Sequence, residues 1–172
     1  MKILIVSDIH GNYNNMKKVL QNDSSFDYLF LLGDLLSGPD ITGYNPEKLA
    51  DLLNKYKDKI IAVKGNCDYD NSSLEFNTDM YYITLFIDDI FFLITHGHYY
   101  NRYNLPPGDF DVLLNGHTHV PILERENNRL FLNPGSITIP RRGDKKTYII
   151  YEDDVFYLKD VEKNRVIQKI SI

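Results

Sequence analysis

The stretch Lys2-Ile3-Leu4-Ile5-Val6-Ser7-Asp8-Ile9-His10-Gly11 decides how this chain folds. Four consecutive apolar residues, Ile3 to Val6, stop abruptly at the polar pair Ser7-Asp8. A short apolar run rich in β-branched residues and bounded by turn residues predicts a strand covered on both faces. In open α/β sheets, ligands bind in the crevice outside the carboxyl ends of the strands. Asp8 and His10 therefore fall where chemistry is expected to collect.

The same arrangement returns four times. Residues 29–32 lead into Gly33-Asp34, and 60–63 into Gly65-Asn66-Cys67-Asp68. Residues 91–94 lead into Thr95-His96-Gly97-His98, and 112–114 into Asn115-Gly116-His117-Thr118-His119. All five histidines of the chain lie in these turns. Further strands are predicted at 81–87, pairing with 90–95 across Asp88-Asp89, and at 121–125, pairing with 130–133 across a type I′ turn at Asn127-Asn128. Strands at 147–151, 155–159 and 165–170 close the chain. Helices are predicted over 14–21, with Met16, Val19 and Leu20 on one face, and over 46–56, with Leu49, Leu52 and Leu53 at helical spacing. Residues 66–79 read as a long polar loop.

Composition narrows the classes. With 172 residues and no Gly/Pro/Ser-rich linker, residues 1–172 are expected to form a single domain with a β-sheet interior. The formal net charge of −5 argues against a nucleic-acid-coating surface. No apolar run approaches a membrane span, and the apolar start is too short for a signal-peptide core. One cysteine, Cys67, allows no intramolecular disulfide. A cytoplasmic protein is the expectation.

The polar turns predict a metal site. Imidazole, carboxylate and amide oxygen together suit Mn, Fe, Co, Ni and Zn, and one cysteine excludes a Cys-rich structural zinc site. Asp8, His10, Asp34, Asn66, His96, His117 and His119 are more candidate ligands than one tetrahedral ion needs. A pair of ions about 3.5–4 Å apart clamps the attacking and leaving oxygens of an in-line displacement and makes a bridging hydroxide available near neutral pH. Taken one at a time, each residue has a plainer reading: Asp8 as a helix N-cap, Gly33-Asp34 and Asn66 as turn residues. Their order, each after a strand, carries the case.

That order, Asp8-Ile9-His10, Gly33-Asp34, Gly65-Asn66-Cys67-Asp68, His96 and Gly116-His117-Thr118-His119, resembles the calcineurin-like metallophosphoesterases over nearly the whole chain. The resemblance implies an α/β, four-layer αββα sandwich of two mixed sheets with helices on both outer faces. It implies two divalent metal ions, with Mn2+ the first choice and Ni2+, Fe2+, Co2+ or Zn2+ alternatives. Asp8, His10, Asp34 and His119 would hold one ion. Asp34, Asn66, His96 and His117 would hold the other, with Asp34 bridging. Many members carry His where this chain has Cys67, and use it as general acid or on the phosphate. The Gly-Asn-Cys-Asp form, with His96-Gly97-His98 and Asn133-Pro134-Gly135-Ser136, looks like the small YfcE-type phosphodiesterases of bacteria and archaea.

A thiol with an ordinary pKa near 8.5 is a poor acid at neutral pH, so diesters of easily expelled alcohols are the expected substrates. Asp34, Asn66, His98 and Cys67 are the candidate catalytic residues, with Cys67 read first as a small buried side chain. The resemblance makes residues 133–136 a substrate-side loop near the metals. Arg141 and its basic neighbours read first as a solvated loop. The partner is a small phosphate ester, with no membrane, and homo-oligomers are common in the family. Two other readings stay open: a metal-binding scaffold like the retromer subunit of this family, and a phosphomonoesterase or nucleotide hydrolase.

Overall fold

In a computed structural model describing residues 1–172, the opening run forms β1 (Lys2–Val6). β1 pairs in parallel with β2 (Tyr28–Leu31), Ile5 opposite Phe30, and antiparallel with β9 (Thr147–Glu152), Leu4 opposite Ile150. β3 (Ile60–Ala62), β10 (Val155–Asp160) and β11 (Arg165–Ser171) complete a six-stranded mixed sheet in the order β11-β10-β9-β1-β2-β3. A second mixed sheet is built from β4 (Tyr82–Ile87), β5 (Ile90–Thr95), β6 (Val112–Leu114), β7 (Ile122–Glu126) and β8 (Arg129–Asn133), ordered β4-β5-β6-β8-β7.

Alternation of side chains along β1 explains why every residue from Ile3 to Val6 is buried. Ile3 and Ile5 point between the sheets, into a core shared with Phe30, Phe92, Ile94 and Leu114. Leu4 and Val6 point the other way, onto α1 (Tyr13–Asn22) and α2 (Pro46–Asn54) through Met16, Val19, Leu49 and Leu53. Both helices start at an asparagine cap: Asn12 accepts from the Asn15 N–H and Asn45 from the Lys48 N–H, with Pro46 in the first turn of α2. Asp8 thus caps neither helix.

The α/β two-sheet sandwich matches the expected class, and its helices both lie on the outer face of the six-stranded sheet. The other outer face is covered by loop: Phe110 packs with Leu93 and Leu113 there. The chain between β5 and β6 carries Pro106-Pro107-Gly108, which opposes helix formation. Asp88-Asp89 and Asp153-Asp154 hold both central residues at positive φ, as I′ hairpins require. At Asn127-Asn128 only Asn127 does so, so that turn is not type I′. No helix is long and apolar enough to cross a membrane.

Candidate metal centre

Five strands deliver their following turns to one place. Turns after β1 and β2 are stitched by backbone bonds, His10 N–H to Asp34 O (2.9 Å) and Gly11 N–H to Leu35 O (2.8 Å). The turn after β6 meets the end of β5 through Gly116 N–H to His96 O (2.8 Å). Two glycines make this approach sterically available. A Cβ on Gly33, at φ +88°, would lie 2.7 Å from Gly65 N and 2.8 Å from His96 Nδ1. One on Gly116 would collide with Ser7 Oγ and Asp8 Oδ2.

Ligand atoms of Asp8, His10, Asp34 and His119 lie within 4.8 Å of one another, and all four side chains are buried. His119 Nε2 is 3.1 Å from Asp8 Oδ1, and His10 Nε2 is 3.8 Å from Asp34 Oδ2. Backbone carbonyls fix the imidazole tautomers. His10 Nδ1 lies 2.9 Å from Ser37 O, His119 Nδ1 2.7 Å from Ile139 O, and His96 Nδ1 2.6 Å from Leu32 O. A ring whose Nδ1–H donates to a carbonyl presents a bare electron pair at Nε2. His10 and His119 aim such pairs at each other across 3.3 Å. Two acceptors cannot bond each other; a positive charge between them, a proton or a metal cation, resolves the contact. Beside them, Asp8 Oδ1 is buried with no hydrogen-bond partner, while Asp8 Oδ2 accepts from Ser7 Oγ (2.6 Å) and His117 N–H (3.0 Å). An orphaned carboxylate oxygen in the interior is costly unless a positive charge meets it. The donor set therefore fits a divalent ion.

A second group shares Asp34. His96 Nε2 lies 3.5 Å from Asp34 Oδ1 and 3.1 Å from Asn66 Oδ1. The His117 ring centroid is 5.2 Å from that of His96. Asn66 and His117 are exposed, so this half opens to solvent.

Electrostatics agree with a site made for positive charge. Burial alone would raise the Asp34 carboxyl; the hydrogen bond and charge of His96 and the Cys67 N–H outweigh it and hold Asp34 well below the ordinary carboxylate range. Burial opposes a charge on His96 and His119, but Asp34 and Asp8 respectively win and push both upward. Burial and the charge of His96 push His98 and His117 down, keeping their rings neutral. Burial, then the negative charge of Asp34, raises the Cys67 thiol to about 11.

Five of the seven predicted ligands, Asp8 (φ 53°), His10 (48°), Asp34 (53°), His117 (66°) and His119 (59°), hold left-handed backbone. Strain of this kind gathers at functional sites. The structure also brings His98 to the rim, its ring 5.3 Å from His96. Cys67 sits at the edge, half-buried, with its Sγ accepting from Asn66 Nδ2 at 3.2 Å.

The 133–136 loop lies against the turns that carry the predicted ligands. Asn133 and Ser136 are buried and face inward. Asn133 Nδ2 donates to Gly116 O (2.8 Å), and Ser136 Oγ donates to Asp8 O (2.8 Å) while accepting the Ile139 N–H (2.8 Å). The loop is a brace for the metal-facing turns. Asp68 is the residue sequence reasoning passed over: its carboxylate accepts N–H bonds from Asp34 (2.9 Å), Leu35 (2.8 Å) and Gly65 (2.7 Å), locking two turns together. Its position in Gly65-Asn66-Cys67-Asp68 was the available signal. Arg141 and Arg142 line a cleft of about 670 Å³ with His117, Thr118 and Val120.

This fold and this cluster define a metal-site hydrolase scaffold, and a family model, calcineurin-like phosphoesterase superfamily domain, matches residues 1–154. The chain belongs to the calcineurin-like phosphoesterase superfamily. It is similar to the phosphodiesterase YfcE of Escherichia coli, 35% identical over 181 residues covering 100% of this chain and 98% of the relative. A phosphodiesterase of Methanocaldococcus jannaschii is 33% identical over 147 residues, covering 78% of this chain and 83% of its own. The solved structure of the E. coli phosphoesterase superposes with a TM-score of 0.91 at 33% identity, covering 100% of both chains.

Proposed function

We propose that the chain is a phosphodiesterase working with two divalent metal ions. Asp8, His10, Asp34 and His119 hold one ion; Asp34, Asn66, His96 and His117 hold the other, with Asp34 common to both. The observation that carries this is the facing of bare Nε2 electron pairs on His10 and His119, 3.3 Å apart, beside the orphaned Asp8 Oδ1. Such an arrangement calls for positive charge among the ligand atoms, which a divalent cation supplies. Histidine with carboxylate and amide oxygen suits Mn2+, and also Fe2+, Co2+, Ni2+ or Zn2+.

When bound, the ions neutralise the phosphoryl oxygens and supply a water nucleophile at neutral pH for in-line attack. The protein's own share is orientation. Carbonyls of Leu32, Ser37 and Ile139 fix His96, His10 and His119 in the ligating tautomer. Asp68 fixes Asp34 through its backbone. Arg141 and Arg142, on the His117 side, offer positive charge to the substrate's anionic oxygens. The diester preference is supported by the activity named for the two phosphodiesterase relatives and by Cys67 standing where many members of the family carry the protonating His. A thiol raised to about 11 gives up its proton reluctantly, which favours esters of alcohols that leave unaided. A scaffold of this family tends to lose metal-site histidines, whereas this chain keeps all seven ligand positions of the family pattern.

The test is to strip the protein with a chelator and assay bis(para-nitrophenyl) phosphate beside para-nitrophenyl phosphate, without metal and with Mn2+, Fe2+, Co2+, Ni2+ or Zn2+ in turn. Restored hydrolysis of the diester, faster than of the monoester, is expected. A monoester preference would replace the phosphodiesterase reading, and no restoration by any of the five metals would end it.

A further inference from the structure

Next to the histidine cluster lies a cleft of about 630 Å³ whose walls are chiefly Tyr81, Tyr82, His98, Tyr99 and Tyr100. Its volume lies in the range of small-molecule sites. Tyr81 and Tyr99 leave 49% and 58% of their surface exposed, an open aromatic wall rather than a packed one. The wall is held in place from behind. Tyr100 makes edge-on contacts with Tyr82 (centroids 5.1 Å) and Tyr99 (4.8 Å). Thr95 Oγ1 reaches the carbonyls of both Tyr81 (3.2 Å) and Tyr100 (3.0 Å), tying the two Tyr-bearing segments to the residue before His96.

Rings then run without a break from the proposed metal ligands into the cleft. The His117 and His96 rings lie 6.2 and 5.3 Å from that of His98. His98 lies 5.9 Å from Tyr81, and Tyr81 lies 5.9 Å from Tyr99. His98 Nδ1, at the junction, is buried without a hydrogen-bond partner. The other cleft, lined by His117, is basic, with Arg141 and Arg142. The histidine cluster thus adjoins positive charge through His117 and a tyrosine wall through His98.

We propose that the tyrosine cleft is a specificity subsite that seats one flat aromatic ester group of the phosphodiester, an aryl group or a nucleobase, by stacking on Tyr81 and Tyr99. This rests on the phosphodiesterase reading of the adjoining centre. Aromatic pairs contribute roughly tenfold in affinity when well placed.

Calorimetry on the Mn2+-loaded protein tests it with three non-hydrolysable probes: methylphosphonate, phenylphosphonate and an adenosine 5′-phosphonate. At least one aromatic probe is expected to bind about tenfold more tightly than methylphosphonate. Adenosine ahead of phenyl identifies a nucleobase ester as the occupant; phenyl ahead identifies a simple aryl ester. Tyr81→Ala with Tyr99→Ala removes the preference while methylphosphonate affinity and metal content stay unchanged. Tyr81→Phe with Tyr99→Phe keeps the preference, because stacking needs the rings and not the hydroxyls. Equal affinity for all three probes in the wild type, preference surviving the alanine pair, or preference lost in the phenylalanine pair overturns the subsite. Failure of every phosphonate to bind a protein that also takes up no metal instead removes the phosphodiesterase reading beneath it.

Discussion

Asp8, His10, Asp34, His117 and His119 each hold a backbone conformation that disfavours any residue with a Cβ. Each costs about 1–2 kcal/mol relative to a right-handed conformation. Their identities were legible in the sequence because imidazole and carboxylate are metal-binding groups and here they recur after successive strands. Their strain was not, because Asp and His tolerate left-handed backbone and carry no glycine-like mark. Cys67 was legible as a departure, and the structure gives it a physical consequence: burial and Asp34 raise its thiol to about 11. An imidazole at that position, with a pKa near 6.5, is a far better acid. Cys67→His is expected to raise turnover roughly tenfold or more on diesters of poorly leaving alcohols, with little change on para-nitrophenyl diesters. The ratio of kcat values on the two substrate types checks this, and a ratio unchanged at equal metal content contradicts an acid role at position 67.

Among the elements, strands buried on both faces were the clearest in the sequence, since burial on both sides leaves an apolar run with sharp polar ends. β1, β2 and β6 all overlap the runs that predict them. Loops were harder, since their roles depend on partners distant in sequence. The turn after β8 is the case in point: Ser136 bonds Asp8 across 128 residues, and no local pattern encodes that pairing. The same holds for the outer face of the second sheet, where Phe110 and its loop stand in for a helix. Ser136→Ala removes the hydroxyl that orders both the Asp8 carbonyl and the Ile139 N–H. Metal affinity is expected to fall about 10–100-fold, as for other residues that orient metal ligands. Mn2+ titration of the variant measures it, and wild-type affinity would show that the brace is dispensable.

Across the whole molecule, two layers of core do different work. The inter-sheet core around Phe30, Phe92 and Phe156 holds the two sheets together. The core under the helices fixes β1 and β2, which carry Asp8, His10 and Asp34 into the cluster. Asp23, just past the end of α1, ties that layer down through Lys2 (3.0 Å), Lys159 (2.6 Å) and Tyr148 (2.7 Å). Burial favours its neutral acid, yet the bonds from Lys159, Tyr148 and Lys2 outweigh burial and hold it below the ordinary value of 3.8. A lowered carboxylate stabilises the fold above its unfolded-state pKa and releases that stability as pH falls through its folded value. Asp23→Asn is expected to lose about 2 kcal/mol at pH 7, with the difference from wild type shrinking below pH 3.8. Urea unfolding at pH 7 and pH 3 reads this, and a difference that is constant or grows with acid contradicts the assignment. The largest claim, that ends of both sheets converge to hold two ions around one shared carboxylate, is tested most directly by counting metal. Elemental analysis after stripping and Mn2+ reconstitution is expected to find two ions per wild-type chain, and none held tightly by Asp34→Ala. A wild-type chain that retains no metal, or an Asp34→Ala chain that retains two, contradicts the account.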